Sequence, residues 1–595
     1  MRWGIQDFKG LQEGKLALED GTLTVLTGAN SSGKSSILQS ILMVTQSFYH
    51  SGGLVLNGPL VRLGDARDLV RTGAPTEKIG LSFEIPDQND ELDEQSSHNI
   101  KVFASMRPSE DSSTLHISRL MLSPTDDENS ESAVFDKIRS RGTDIQAAVQ
   151  ATDANDGTEF LHVKNTFGSD RKILRTYIRM EGLDPVEIVQ VADKNEIFTR
   201  YRHEIEAILN SPNPEKSQIL TSSTRFQTAE NRLYIGIIEF STLLAGALKN
   251  SVEAGIDSDL GILLSVPRGN MLKLLEIWAT LDKNTRDRAL DITATARSSR
   301  PYVKHTLGRR AVFRTQPQWR QIGGVLELQL QQRLQATLTA LSSLSFGLRS
   351  FSTKVQYLGP LRDEPRVVWD QWNELTRGLP VGTRGEYSAV RLSQRARRPT
   401  TYRRPNGDTR TGTLREAVDD WLAYLQIGDG VTAKSVGKLG VRVELQLSGH
   451  PRDLTAVGVG VSQALPLVVA VLAVPEHSIF IVEQPELHLH PAVQARLADF
   501  FLQARPDITS IVETHSDAFV TRIRRRAAES SISPGRVDIV FVEPKDHGST
   551  MRSLSITEFG DLTEWPAGFI SGEDEDAKAI LLANLKRIES SNAGD

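Results

Sequence analysis

Short apolar alternations and longer apolar stripes divide the chain into a β-rich start, a helical middle and a mixed end. Residues 5–9, 16–18 and 23–26 read as short strands with turns between them. Residues 36–44 carry apolar positions at helical spacing. The stretch 54–65 is punctuated by Asn57, Gly58, Pro59 and Gly64, which mark turns between short extended pieces. Residues 79–85 alternate as a strand does. Between 86 and 132, acidic runs at 87–91 and 126–128 surround the apolar segment 115–122, which reads as a β piece among solvated loops. Residues 160–163 and 186–189 are again β-like. From about 195 to 348 helical patterns dominate, as in 233–248, 271–281 and 325–344. They are of ordinary length and show no sustained heptad seam, so this section reads as a compact helical insertion. Buried-strand patterns return at 478–482 and 508–513, and a long apolar helix starts near Ala464.

Composition narrows the class. With 595 residues, 39% hydrophobic and 24% charged, the chain has a soluble globular balance and material for several cores. Its net charge is −6, so nucleic-acid contact would rest on local basic patches. No cysteine is present, which excludes disulfides and cysteine-ligated zinc and suits a reducing compartment. The first residues lack the pattern of a signal peptide. The longest strongly apolar run, 464–474, is too short to span a bilayer. The expectation is a cytoplasmic protein without a membrane partner.

Candidate chemistry starts at Gly28-Ala29-Asn30-Ser31-Ser32-Gly33-Lys34-Ser35, which fits the phosphate-loop pattern G-x-x-x-x-G-K-[ST]. A strand leads in and a helix, from Ser36, leads out. The glycines let successive N–H groups face a phosphate, and the helix N-terminus adds a favourable dipole. Lys34 would meet the β- and γ-phosphates, and the Ser35 hydroxyl would hold Mg²⁺. A second block begins at Val457-Gly458-Val459-Gly460-Val461-Ser462-Gln463. It continues through the strand that ends at Glu483 and through Gln484-Pro485-Glu486-Leu487-His488-Leu489-His490-Pro491. A carboxylate at the carboxyl end of a central strand, beside a phosphate loop, suits a metal-bound triphosphate. A third strand ends at Glu513 and is followed by Thr514-His515-Ser516-Asp517. His488 and His490 could suggest a metal site, but with no third ligand they read as turn or interface residues.

Two basic runs stand apart. One comprises Arg297, Arg300, Lys304, Arg309, Arg310, Arg314 and Arg320, interleaved with Tyr302, Phe313 and Trp319. The other comprises Arg391, Arg395, Arg397, Arg398, Arg403 and Arg404. They read either as a surface for a nucleic-acid backbone or as solvated faces that meet an acidic partner.

The order of phosphate loop, insertion, Gly-Ser-Gln signature, strand-terminal acid and strand-terminal His resembles the ABC-type ATPase heads of the SMC, RecF and overcoming-lysogenization-defect group. Tyr357-Leu358-Gly359-Pro360-Leu361-Arg362, Gly382-Thr383-Arg384-Gly385-Glu386, the stretch 483–491 and Glu513-Thr514-His515-Ser516 resemble stand-alone bacterial members. The tail 560–569 resembles a small C-terminal module that some of them carry. The resemblance covers residues 1–85 and 350–575 and hardly touches 86–345. It implies an α/β fold: an ABC-type head, with a phosphate loop in a mixed sheet, split by a β-rich and helical insertion. The expected divisions are 1–85 and 349–530 for the head, 86–194 and 195–348 for the insertion, and 531–595 for the small module.

Carried over by residue, the resemblance implies that ATP is held by Gly28, Asn30, Ser31, Ser32, Gly33, Lys34, Ser35 and Ser36. Mg²⁺ is then served by Ser35 and Glu483. Gly460, Ser462 and Gln463 would reach the ATP of a second head, and His515 would sense the γ-phosphate. Such heads pair head-to-tail, which implies a homodimer or higher oligomer that changes state with the γ-phosphate. Relatives of this type often stand beside a separate nuclease or toxic effector in antiphage defence, and no nuclease constellation follows His515 here.

One position departs from the pattern. The usual second acid after Glu483 is Gln484, and an amide orients water without accepting its proton. Either Glu486 serves as base, or hydrolysis is slow and the protein is a long-lived ATP clamp, or the Gln is an engineered change. The favoured expectation is a native Gln with weak or Glu486-assisted hydrolysis. Two other functions are weighed against an ATP switch that controls an effector: a DNA-repair or recombination ATPase, and an ATP-holding scaffold with little turnover.

Overall fold

The apolar alternations at the two ends of the chain meet in one sheet. The computed structural model describes residues 1–48, 54–86, 99–124, 133–137, 159–165, 174–192, 244–245, 260–266, 271–298, 302–306, 324–369, 381–395, 399–566, 580 and 582–584. The chain forms two compact units. The first comprises Met1–Glu84, Ser105–His116 and Leu348–Asp595, and the second comprises Ile85–Ala104 and Ile117–Gly347.

The main sheet of the first unit contains β1 (Arg2–Phe8), β2 (Leu11–Ala17), β3 (Leu23–Gly28), β4 (Ile79–Pro86), β5 (Val355–Leu358), β6 (Ile479–Glu483), β7 (Thr509–Glu513), β8 (Val537–Glu543) and β9 (Ser549–Leu554). Their order is β4-β1-β2-β9-β8-β3-β7-β6-β5. The run β8-β3-β7-β6-β5 is parallel throughout, and the β1–β2, β1–β4 and β8–β9 pairs are antiparallel. Strands β3 and β7 are almost entirely buried, as expected of parallel strands covered on both faces.

Helices of this unit include α1 (Lys34–Ser47), α2 (Ser388–Arg395), α3 (Leu414–Leu425), α4 (Val459–Ala473), α5 (Pro491–Gln503) and α6 (Asp517–Ala528). The long apolar run of the sequence is α4. Leu465, Leu467, Val468, Val469, Val471 and Leu472 are all buried in it. Each such burial is worth roughly 1.5–3 kcal/mol, which makes α4 a core helix. Trp421 on α3 meets Phe500 on α5 edge to face at 5.1 Å, and Phe501 meets Phe519 on α6 at 6.1 Å. The start of α3 is set by a capping box, in which Thr413 accepts from the Glu416 N–H and Glu416 accepts from the Thr413 N–H. Asp499, fully buried on α5, takes Arg522 and Arg526 of α6 at 2.7 Å each and so clamps the two helices. Among the described residues, no helix is long and apolar enough to cross a membrane.

The stretch expected as a small module, 531–595, contains β8 near its start. β8 pairs in parallel with β3, so it is a central strand of the head. Its burial on both faces explains the placement, since an apolar strand of this kind is not stable alone. The chain then returns to α6, where the Arg524 guanidinium lies 4.6 Å from the Trp565 ring centre and its Nε donates to the Gly560 carbonyl at 2.9 Å.

In the second unit, strands Ala133–Lys137, Glu159–Asn165, Leu174–Glu181, Asp184–Ala192 and Tyr302–Thr306 form a run of antiparallel pairs. Helices Met271–Thr280 and Lys283–Ser298 follow the helical patterns of the sequence. The strand at Tyr302–Thr306 corrects the expectation of helix across 195–348. It is a short segment rich in β-branched and aromatic residues, and it completes the edge of Asp184–Ala192. Most of 233–248, and Arg300, Arg309, Arg310, Arg314 and Arg320 of the first basic run, lie outside the described residues.

Candidate functional site

The site is built at the carboxyl ends of the parallel strands, where α/β sheets open a crevice. β3 ends at Gly28 and turns into the phosphate loop. Gly28 has φ 141°, and a Cβ there would lie 2.5 Å from the Val542 carbonyl oxygen of β8. Only glycine fits so close to a neighbouring strand. The loop closes into α1 at Lys34. The Lys34 Nζ, 4% exposed, donates to the carbonyls of Gly28 at 3.0 Å and Ala29 at 2.7 Å. An ammonium has three donors, so one proton remains for a ligand. Burial lowers the Lys34 pKa, while the charges of Glu513 and Glu486 oppose that shift. Ser32 Oγ is buried and has no hydrogen-bond partner.

The carboxylates converge from the other strand ends. Glu483 on β6 and Glu513 on β7 are register partners. Ser35 Oγ donates to both Glu513 oxygens, at 2.9 and 3.0 Å. Glu483 Oε1 instead accepts from the Tyr357 hydroxyl of β5 at 2.7 Å. Of the two residues expected to serve Mg²⁺, Ser35 meets Glu513, and Glu483 ends the strand next to it. Sequence reasoning quoted Glu513 as the end of a strand without assigning it a role. The parallel register that brings it beside the loop could have been inferred from the two strand-terminal acids.

Glu486 is buried at the turn after β6 and accepts from the His515 N–H at 2.7 Å. Burial raises the pKa of all three carboxylates, and the Glu483 charge helps to push Glu513 up to about 7. Burial and the Glu483 charge also raise the Tyr357 phenol. Arg362, 5% exposed, reaches the same cluster: Nη1 donates to the carbonyls of Pro360 at 2.7 Å and Glu483 at 3.1 Å.

Gln484 occupies the left-handed region at φ 44°, and its N–H donates to the Glu513 carbonyl at 2.7 Å. Its half-buried side chain lies between Glu483 and Glu486 in the turn. His515 is exposed, and partial burial followed by the Lys34 charge lowers its pKa, which favours the neutral imidazole. Ser516 caps α6 through Phe519 N–H and donates to Gln494 Oε1. His490 caps α5, with Nδ1 accepting from the Ala492 N–H, so its role is structural. Among the described residues, no group of three or more His, Cys, Asp or Glu is arranged to hold a metal ion.

The signature stretch forms the first turn of α4. Gly458 and Val459 are exposed, and Gly460 packs so closely on the turn after β6 that a Cβ would lie 2.4 Å from the His488 carbonyl oxygen. Ser462 is buried, with its hydroxyl donating to the Val459 carbonyl at 2.9 Å, and Gln463 is half-buried one position on. The signature is thus linked to the acidic turn of its own chain. Asn30 and Ser31 are exposed at the mouth of the loop, and Ser36 is buried below it. Of the second basic run, Arg404 is paired with Asp420 at 3.1 Å, and Arg397 and Arg398 lie outside the described residues.

The residues present fit a metal-bound nucleoside triphosphate. A glycine loop with a buried ammonium and an unpartnered Ser32 hydroxyl faces three crowded carboxylates whose charge calls for a cation.

Residues 23–155 and 427–521 match the family model described as "AAA domain, putative AbiEii toxin, Type IV TA system". No curated protein matches the chain. Among solved structures, the chain is similar to the Smc head domain of Pyrococcus furiosus with an extended coiled coil, bound to the C-terminal domain of ScpA. Identity is 13%, coverage 93% of this chain and 96% of that one, and the TM-score 0.33. It is similar as well to the SMC head domain of Thermotoga maritima, at 9% identity, 93% and 97% coverage and a TM-score of 0.30. The two stretches that match the AAA family model carry the phosphate loop and the acidic strand ends of the crevice.

Proposed function

We propose that the protein is an ATP-hydrolysing switch that pairs head-to-tail and controls a separate effector in defence against bacteriophage. One observation carries the ATPase reading. Lys34 and Ser35 of the loop meet Glu513, with Glu483 and Glu486 beside it, so cation and carboxylates share one crevice. The loop amides from Gly28 to Ser36 and the Lys34 ammonium bind the phosphates. Ser35, Glu513 and Glu483 would hold Mg²⁺, which when bound neutralises charge on the phosphate oxygens.

Glu486 is the general base. Its raised pKa brings it closer to the pH at which a base works best, and its own backbone turn sets it beside His515. Gln484 orients the water without taking its proton. His515, as a neutral donor, senses the terminal phosphate. The absence of a second acid at 484 makes turnover slow and the ATP-bound state long-lived.

Head-to-tail pairing is supported by the exposed first turn of α4 at Gly458 and Val459, which leaves its N–H groups open to the phosphate of a second subunit. The link to a toxic or nuclease effector rests on the toxin–antitoxin description of the matched family. ATP turnover and sedimentation velocity, with and without ATP, test the reading. ATP is expected to drive association, and Lys34→Ala to lower turnover at least about 100-fold and abolish association. A Lys34→Ala variant with full turnover would refute it.

A further inference from the structure

Arg362 is a buried cation whose hydrogen-bonding capacity is half unused. The inference drawn from it deepens the ATP-site reading and rests on it. Its guanidinium is buried, and Nη1 is spent on the carbonyls of Pro360 and Glu483. Nε and Nη2 are also buried and have no hydrogen-bond partner. These two nitrogens form one edge of the planar fork, the edge that takes two oxygens of a carboxylate or a phosphate side by side. Burial lowers the Arg362 pKa only to about 10, so the group stays cationic at neutral pH. A buried cation with an open bidentate edge is costly unless an oxyanion arrives.

The neighbouring anions do not fill that edge. Glu483 Oε1 is taken by Tyr357, and Glu486 Oε1 by the His515 N–H. Glu486, whose Oε2 has no hydrogen-bond partner, is the charge that acts most on Arg362, and it also acts on Lys34. The two cations therefore flank the same carboxylate, one from the phosphate loop and one from the segment after β5. That segment is held rigidly, with the Gly359 N–H donating to the Thr383 carbonyl and the Asp363 N–H to the Arg384 carbonyl, both at 2.8 Å.

We propose that the Nε–Nη2 edge of Arg362 binds the terminal phosphate of a nucleoside triphosphate held in the same subunit, and thereby makes the site prefer triphosphate over diphosphate. The edge contributes only when the terminal phosphate is present, so ADP binds without it. Arg362 would then report the γ-phosphate to residues 359–363 and the 383–384 backbone they are bonded to.

The test is nucleotide affinity of the full chain by calorimetry, with ATP and ADP measured separately on wild type, Arg362→Lys and Arg362→Gln. Lysine keeps the charge but cannot offer the fork. ATP affinity is expected to fall about tenfold or more in both variants, while ADP affinity changes by less than about threefold, as for loss of a charge-assisted bidentate contact. Arg362→Lys alone decides the matter if Arg362→Gln fails to fold. Equal losses for ATP and ADP, or an unchanged ratio, would overturn the proposal and leave Arg362 as a structural tie to Glu483. Wild type that binds neither nucleotide would overturn the ATP-site reading itself, and is told apart because no variant is then needed to see it.

Discussion

The phosphate loop and the acidic strand ends meet in one crevice but are built in opposite ways. The loop is eight contiguous residues. Its lysine is already bonded to the carbonyls of its own first two residues. The acidic half draws on three strands: Glu483 from β6, Glu513 from β7 and Tyr357 from β5, with Glu486 in a turn. Ser35 and Glu513 are 478 residues apart in sequence. The loop lysine already has partners within its own loop, whereas the acidic half is crowded with charge that its own surroundings only partly offset. Burial raises all three carboxylates, and the hydroxyls of Tyr357, Thr514 and Ser35, the His515 N–H, the Arg362 guanidinium and the Lys34 ammonium temper the effect. The difference teaches that the loop is preformed and that the acidic half is completed by the cation and phosphate it binds.

The largest effect that would sharpen this contrast is a pH dependence of stability. Glu513 rises to about 7 in the folded chain from an ordinary 4.5. Between these values the unfolded chain has lost the proton and the folded one has kept it, so stability falls as pH rises through this window. Above about pH 7 both states are ionised and the loss is complete, on the order of 3 kcal/mol. Urea unfolding of wild type and Glu513→Gln at pH 4.5 and 7.5 should show this loss in wild type and little of it in the variant. A wild-type curve that is flat in pH would contradict the crowding.

A smaller effect is expected at Tyr357. Tyr357→Phe removes the hydroxyl that donates to Glu483 and should cost about 1.5–3 kcal/mol in urea unfolding at pH 7. An unchanged midpoint would mean that Glu483 is held by Arg362 alone.

The smallest effect lies outside the contrast and checks it. Thr413→Ala breaks the capping box of α3 and should lower stability by about 1 kcal/mol without changing ATP affinity by calorimetry. A matching loss of affinity would show that the site senses general stability and not its own contacts.

The same difference in construction explains what the sequence could disclose. Gly28 to Ser35 is legible because strand, loop and helix are consecutive and the glycine positions are required by geometry. The strands ending at Glu483 and Glu513 were readable as strands, since each is a short apolar run ending in an acid. The pairing of Ser35 with Glu513 was not, because it depends on which strands lie side by side. For the same reason, the place of β8 beside β3, within the stretch expected as a small module, was not legible. The strand Tyr302–Thr306 was hidden inside helical periodicity because five residues carry little pattern of their own, and its partner 187–191 supplies the reason to extend. Arg362 was visible in the sequence as the end of the stretch Tyr357–Arg362. Its unused edge is a property of the folded site alone.

The most direct test of the account is single-turnover release of γ-phosphate by Glu486→Gln, with bound ATP quantified in the same samples. Loss of a general base costs about 100-fold or more in the chemical step while leaving the phosphate loop intact. The account predicts that the variant binds ATP as wild type does and releases phosphate at least about 100-fold more slowly. Phosphate release at the wild-type rate, with ATP bound normally, would contradict it.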